Sequence, residues 1–252
     1  RKAFQPLINL LSDRDKDLQA SAITALSNFK DSSDLLLPYL SNSDDTIRMN
    51  AIVGLYNNGD PAIMDKLKPK LIDFIQNDTS ADVRYYSVKI LGTFKDRDTI
   101  SFIRNALRDE SGRVRLGAAE SLAGMADNSC IKPLINVLDD ERPMVSHQAI
   151  LILSSFGDSA IRALTEALKD TSSSDTKKAQ IAIVLGMIKS PESYKALLES
   201  LNITNGDIRH NVFWALSHSN DSQVEALLME ALFHDDPAIR LSASNALSNI
   251  NH

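Results

Sequence analysis

Eight leucines recur at nearly even spacing: Leu26, Leu55, Leu91, Leu122, Leu153, Leu185, Leu216 and Leu247, with successive differences of 29, 36, 31, 31, 32, 31 and 31 residues. A fixed period in this range marks an array of supersecondary units, none of which can bury its apolar face alone. Other columns keep step with the leucine. Eight residues before it stand Leu18, Ile47, Val83, Val114, Val145, Lys177, Ile208 and Ile239, and the next position holds Arg48, Arg84, Arg115, Arg209 and Arg240. Four before it the residues are mostly small, as in Ala22, Ala51, Ser87, Ala118, Ala149 and Ala243.

The apolar residue, the small residue and the leucine fall at i, i+4 and i+8, which is one face of an α-helix. Five residues beyond the leucine come Asp31, Asp60, Asp96, Asp127, Asp158, Ser190 and Asp221. These suit the N-cap of a following helix, and Pro61 and Pro191 directly after two of them suit its first turn. That helix has its own stripe, for example Ile131, Leu134, Ile135 and Leu138, and a polar turn such as Asp139 to Pro143 leads to the second helix. Each repeat is therefore a helix pair, predicted to place its second helix near 18–29, 47–58, 83–94, 114–125, 145–156, 176–188, 208–218 and 239–250, with all eight leucines buried.

The pattern L-x-D-x-x-x-x-V-R-x-x-A-x-x-x-L, carried best by Leu107, Asp109, Val114, Arg115, Ala118 and Leu122, resembles the HEAT repeat in its short bacterial or phycobilisome-lyase-like form. The resemblance spans the chain. It implies an all-α, right-handed α-solenoid of eight HEAT-like helix pairs, with second helices lining a concave face. The expectation is one repeat domain over 1–252, with repeats at about 1–30, 31–59, 60–95, 96–126, 127–157, 158–189, 190–220 and 221–252, excised from a longer chain. It also implies that the arginine column pairs with turn acids, Asp13, Asp78, Asp109 and Asp140, in a ladder that joins the repeats.

Several functions are disfavoured by composition and motif. A net charge of −6 argues against a nucleic-acid partner, whose affinity comes largely from clustered Lys and Arg. No apolar run reaches membrane-spanning length. The single cysteine, Cys130, leaves no intrachain disulfide and fits a reducing, cytoplasmic compartment. Enzymes built on this repeat need chemistry that is missing. The deoxyhypusine hydroxylase type requires His-Glu pairs for iron, whereas His147, His210, His218 and His234 are followed by Gln, Asn, Ser and Asp. No metal site, cofactor site or catalytic constellation is expected. The alternative reading is a phycobilisome-lyase-like, chromophore-handling subunit or another enzyme of this fold.

Deviations from the repeat remain. The first helix of the third repeat is long and contains Pro69, and Lys177 with the turn Thr171 to Asp175 marks a softer sixth repeat. The position two before each leucine lies opposite the buried stripe. It reads Thr24, Val53, Lys89, Glu120, Leu151, Ile183, Trp214 and Asn245, so three consecutive repeats offer large apolar residues. Apolar patches of this kind mark interaction sites, and Trp is favoured at hot spots. The chain reads as a non-catalytic scaffold that binds a protein or peptide through Leu151, Ile183, Met187, His210, Trp214 and His218, with His147 nearby. Met49, Val53, Tyr56, Tyr85 and Tyr86 form a secondary cluster. Its oligomeric state stays open.

Overall fold

The computed structural model describes residues 2–125, 127–200, 206–217 and 222–250, and not the side chains of 206, 207, 210, 223, 227 and 250. Among the described residues there are sixteen α-helices and no strand. The chain divides into two compact halves, Arg1–Met125 and Ala126–His252. This division falls at the boundary between the fourth and fifth repeats.

In the N-terminal half the first helices are α1 (Phe4–Leu10), α3 (Ser33–Leu36), α5 (Pro61–Asn77) and α7 (Arg97–Asn105), and the second helices are α2 (Lys16–Leu26), α4 (Asp45–Asn58), α6 (Ala81–Thr93) and α8 (Gly112–Leu122). In the C-terminal half α9 (Ile131–Asn136), α11 (Asp158–Lys169), α13 (Pro191–Ser200) and α15 (Ser222–Ala231) alternate with α10 (Pro143–Ser155), α12 (Asp175–Ile188), α14 (Gly206–Ser217) and α16 (Pro237–Ile250). Each second helix packs on its own first helix and on the next second helix: α2 on α4, α4 on α6 and α6 on α8 in one half, and α10 on α12, α12 on α14 and α14 on α16 in the other.

Burial follows the columns. Seven ladder leucines are buried, and Leu247 is half-buried on α16, which packs on α14 and α15. The small column is buried throughout, and so is the column eight before the leucine except at its first member, Leu18, and at Lys177. Small residues let the second helices close in. A Cβ added to Gly186 on α12 would stand 2.4 Å from Cβ and 3.1 Å from Cα of Ala215 on α14. Gly186→Leu should therefore destabilise the C-terminal half by about 1–3 kcal/mol or more through overpacking. Chemical denaturation that leaves its midpoint unchanged would show that the two helices can move apart freely.

The acidic caps form in most repeats. Asp60 accepts the N–H of Ala62 at 3.0 Å, Asp96 that of Asp98 at 3.0 Å, Asp127 that of Ser129 at 2.7 Å and Ser190 that of Ser193 at 3.2 Å. Two positions differ from expectation. Asp31 lies inside a short 3-10 segment, Lys30–Ser32, and Asp158 is the first residue of α11, after Gly157 at φ 55°. Asp221 lies outside the described residues. The long α5 does contain Pro69, which has no N–H to offer its preceding turn.

The arginine ladder forms at two junctions, from the second repeat to the third and from the third to the fourth, whereas Asp13, also expected in it, accepts the N–H of Asp15 and meets no arginine among the described residues. Nε and Nη2 of Arg48 grip both carboxylate oxygens of Asp78 at 2.9 and 2.8 Å. Arg84 holds Asp109 in the same fork at 2.7 and 2.8 Å. In each arginine Nη1 is tied to its own turn: to the carbonyls of Asn42 and Ser43 for Arg48, and of Asp78 and Thr79 for Arg84. The hydrogen bonds to Asp78 and Asp109 raise both guanidinium groups above their ordinary pKa, although burial opposes this. In the C-terminal half Arg209 reaches Asp236 at 2.6 Å. These arginines are occupied internally.

The sixth repeat is tied down where the sequence suggests weakness. Ser174 caps α12 by accepting the N–H of Lys177 at 3.1 Å. Lys177 pairs with Asp139 at 3.1 Å, and Ser174 Oγ donates to the same carboxylate at 2.6 Å. Burial alone would raise Asp139. The bonds from Ser174 and Lys177 outweigh it and hold the carboxyl below its ordinary value. A charge pair here replaces the apolar contact of the other repeats, while Ile181, Ala182, Val184 and Leu185 on the same helix are fully buried.

Candidate functional site

The candidate row lies on the second helices of the C-terminal half. These helices bury Val145, Ala149 and Leu153 on α10, Ile181 and Leu185 on α12, and Ile208, Val212 and Leu216 on α14. Helical geometry therefore turns the positions two before the leucine outward. Leu151 is 41% exposed, Met187 40% and Trp214 49%, and Ile183 is half-buried. His147 is exposed on α10. His218 and the side chain of His210 lie outside the described residues.

Leu151, Ile183 and Met187 share one open groove between α10 and α12, with a volume of about 430 Å³. Its apolar floor is continued by Leu138, Pro143 and Ile150. Its polar margin is Asp139, Asp140, Ser146, His147, Thr176 and Gln180. Thr176, Gln180, Ile183 and Met187 follow one another at i, i+4, i+7 and i+11, a single stripe of α12. That spacing was available in the sequence and would have added Thr176 and Gln180 to the site. Ser146 is not a free donor, since its Oγ bonds the carbonyl of Leu138 at 2.6 Å.

Trp214 does not line this groove. It borders a smaller hollow of about 90 Å³ between α14 and α16, with Phe213, Ser217, Ser242, Asn245, Ala246 and Asn249. The close approach of Gly186 and Ala215 sets α12 against α14 immediately beside Met187 and Trp214 in sequence. The outward face of the C-terminal half thus carries an apolar groove and, on the next helix pair, an exposed indole.

The same columns are filled differently in the N-terminal half. Lys89 on α6 and Glu120 on α8 occupy the outward position and pair at 2.9 Å. Met49, Val53 and Tyr56 are half-buried on α4, and Tyr85 and Tyr86 half-buried on α6. The two tyrosines stack edge-to-face at 5.2 Å. Arg113 of α8 lies 4.4 Å above Tyr85 and 5.6 Å from Tyr86, and is also paired with Asp82. Tyr85 fills the space over Gly117, whose added Cβ would meet its ring at 2.8 Å. Tyr85 and Tyr86 are thus engaged in joining α6 to α8, with cation–π contacts adding to the packing.

Among the described residues no three His, Cys, Asp or Glu side chains stand close enough to hold a metal ion. Cys130 is buried. No described helix is long and apolar enough to cross a membrane.

A sequence profile of HEAT repeats matches residues 4–69, 68–129, 107–184 and 131–217. Among solved structures, the Escherichia coli protein YibA superposes with a TM-score of 0.57 at 19% identity, over 97% of this chain and 92% of that one. The complex of CpcE and CpcF of phycocyanin lyase from Nostoc sp. gives 0.45 at 18%, over 86% and 94%. Human deoxyhypusine hydroxylase gives 0.40 at 17%, over 100% and 96%. At these identities the likeness to YibA is one of fold alone, and the other two carry nothing about activity. Comparison with curated protein sequences gives no match. The repeat profile spans well over half of the chain, and the alternating helix pairs agree with it: the protein belongs to the HEAT-repeat family.

Proposed function

We propose that the chain is a non-catalytic interaction scaffold, working in a reducing, cytoplasmic setting, that binds a protein or peptide on the second-helix face of repeats five to seven. The observation that carries this reading is the groove between α10 and α12, with Leu151, Ile183 and Met187 on its floor and a polar margin of His147, Thr176 and Gln180. An apolar centre with a polar rim is the ordinary anatomy of a protein interface. Its breadth fits the apolar side of an amphipathic helix, which docks through anchors at i, i+3, i+4 and i+7. The exposed Trp214 on the adjoining helix pair supplies an aromatic anchor beyond the groove.

Met187→Glu and Trp214→Ala test it separately. Both side chains are exposed, so helical content by circular dichroism should not change. A partner isolated with the unaltered chain should bind each variant at least tenfold more weakly, since truncating a hot-spot residue costs about 2 kcal/mol or more. Unchanged affinity in both variants would move the site off this face.

A further inference from the structure

Charge is segregated between the two helix sets of the C-terminal half. The first helices carry it: Asp158, Arg162, Glu166 and Lys169 on α11, and Glu192, Lys195 and Glu199 on α13. Arg162 meets Glu166 at 3.1 Å and Lys169 meets Glu199 at 3.5 Å, both on open surface. The second helices carry almost none. Among Asp, Glu, Lys and Arg, α10 has no member, α12 has none after Lys178 and α14 has none after Arg209. Of the charges at the helix starts, Lys177 is held by Asp139 and Arg209 by Asp236. A solvated helix ordinarily places charged residues on its outer face. These three do not, although Met144, His147, Leu151, Met187 and Trp214 are exposed on them. Second helices as such do not require this. In the N-terminal half, α6 and α8 set Lys89 against Glu120 in the same outward column.

The groove between α10 and α12 follows the same rule. Its lining carboxylates stand at the turn end, where Asp139 pairs with Lys177 and Asp140 accepts the N–H of Arg142 at 2.9 Å. Beyond that end the walls are apolar side chains broken by His147, Thr176 and Gln180. Among the described residues no protein group bonds the side chains of these three. A charged partner residue covered here would leave water and find no counter-charge, which is strongly unfavourable. A neutral hydroxyl or carboxamide can both give to and take from Thr176 and Gln180.

We infer, building on the scaffold reading above, that the partner is an amphipathic helix whose docked face is free of charge. Its apolar side chains lie over Leu151, Ile183 and Met187, its Ser, Thr, Asn or Gln side chains meet His147, Thr176 and Gln180, and its charges all face water. Thr176 and Met187 stand eleven positions apart on α12, roughly 16 Å, so about three turns of the partner helix are covered. Beyond their first turns, nothing on α10, α12 or α14 among the described residues supplies the charge that holds a phosphate backbone or an acidic or basic tail.

The probe is a displayed library of helical peptides of about four turns, with one face randomised, selected at pH 8 against the 252-residue chain. Selected faces should be apolar, with Ser, Thr, Asn or Gln at their edges, and Asp, Glu, Lys and Arg should be depleted there at least about tenfold against the starting library. Raising NaCl from about 50 mM to about 0.5 M should leave the affinity of a selected peptide within about twofold, since there is no ion pair to screen. Gln180→Glu, with unchanged circular dichroism, should weaken that peptide at least about tenfold. Selection against this variant should instead bring Lys or Arg to one face position. Faces rich in charge, or an affinity that falls about tenfold over the salt range, overturn the inference; if Met187→Glu still abolishes their binding, the scaffold reading keeps this groove. Peptides that bind the Met187→Glu chain normally overturn both. A library with no binder tighter than about 0.1 mM overturns the charge-free helix alone.

Discussion

Arg84→Met should destabilise the N-terminal half by about 3–5 kcal/mol, the loss expected when one partner of a buried ion pair is removed. The Arg84 and Asp109 side chains are only 7% and 10% exposed. Without the guanidinium, Asp109 keeps the N–H of Ser111 but stays largely out of water with an unbalanced charge. The carbonyls of Asp78 and Thr79 lose their donor at the same time. Replacing both partners, Arg84→Met with Asp109→Leu, should cost less than the sum of the single changes, since an apolar pair carries no stranded charge. Urea denaturation of the four proteins measures this. Strictly additive losses would mean that the fork does not couple the third repeat to the fourth.

Leu122→Ala should cost about 2–5 kcal/mol, from lost burial and the cavity left behind. Leu122 is fully buried on α8 among Ala118 and Ala119, and small neighbours offer little side chain to fill the gap. Because α8 packs on α6, the loss should reach beyond its own helix pair, as nearest-neighbour stacking requires. Native-state hydrogen exchange should show reduced protection in both α6 and α8. A loss confined to α8, or smaller than about 1 kcal/mol, falls outside the range for buried leucine truncation and would contradict the stack.

Why some of this was readable in the sequence and some was not follows from what a repeat encodes. A leucine, a small residue and an arginine at fixed offsets define one helix face, so the second helices and their buried stripes could be placed within a few residues of where they lie. The pairing of the arginine column with turn acids was readable at Asp78 and Asp109, but not at Asp13, which serves its own turn. Caps were less secure. Asp158 has the right offset but is the first residue of α11, and Gly157 at positive φ takes the capping position instead. The first helix of the second repeat is broken into 3-10 and α segments over Lys30–Ser41, where Pro38 offers no N–H to a continuous ladder.

The candidate site was legible as a face but not as a shape. Column position tells which residues turn outward: Leu151 and Trp214 do, Ile183 does in part, and Met187 one turn on from Ile183 is exposed beside them. It does not tell which of them share a concavity. Helix separation, set by pairs such as Gly186 and Ala215, puts Ile183 with Leu151 in one groove and Trp214 in the next hollow. The tyrosine cluster shows the same limit from the other side. Its residues match an interaction surface by type, yet Arg113 and Gly117 engage Tyr85 within the fold.

The most direct test of the scaffold reading is hydroxyl-radical footprinting with and without the bound partner. Exposed methionine and tryptophan side chains oxidise readily, and the chain places Met187 and Trp214 on the proposed face and the comparably exposed Met229 away from it. Binding should slow oxidation of Met187 and Trp214 severalfold and leave Met229 unchanged. Equal oxidation of Met187 and Trp214 in the free and bound protein would contradict the assignment of this face.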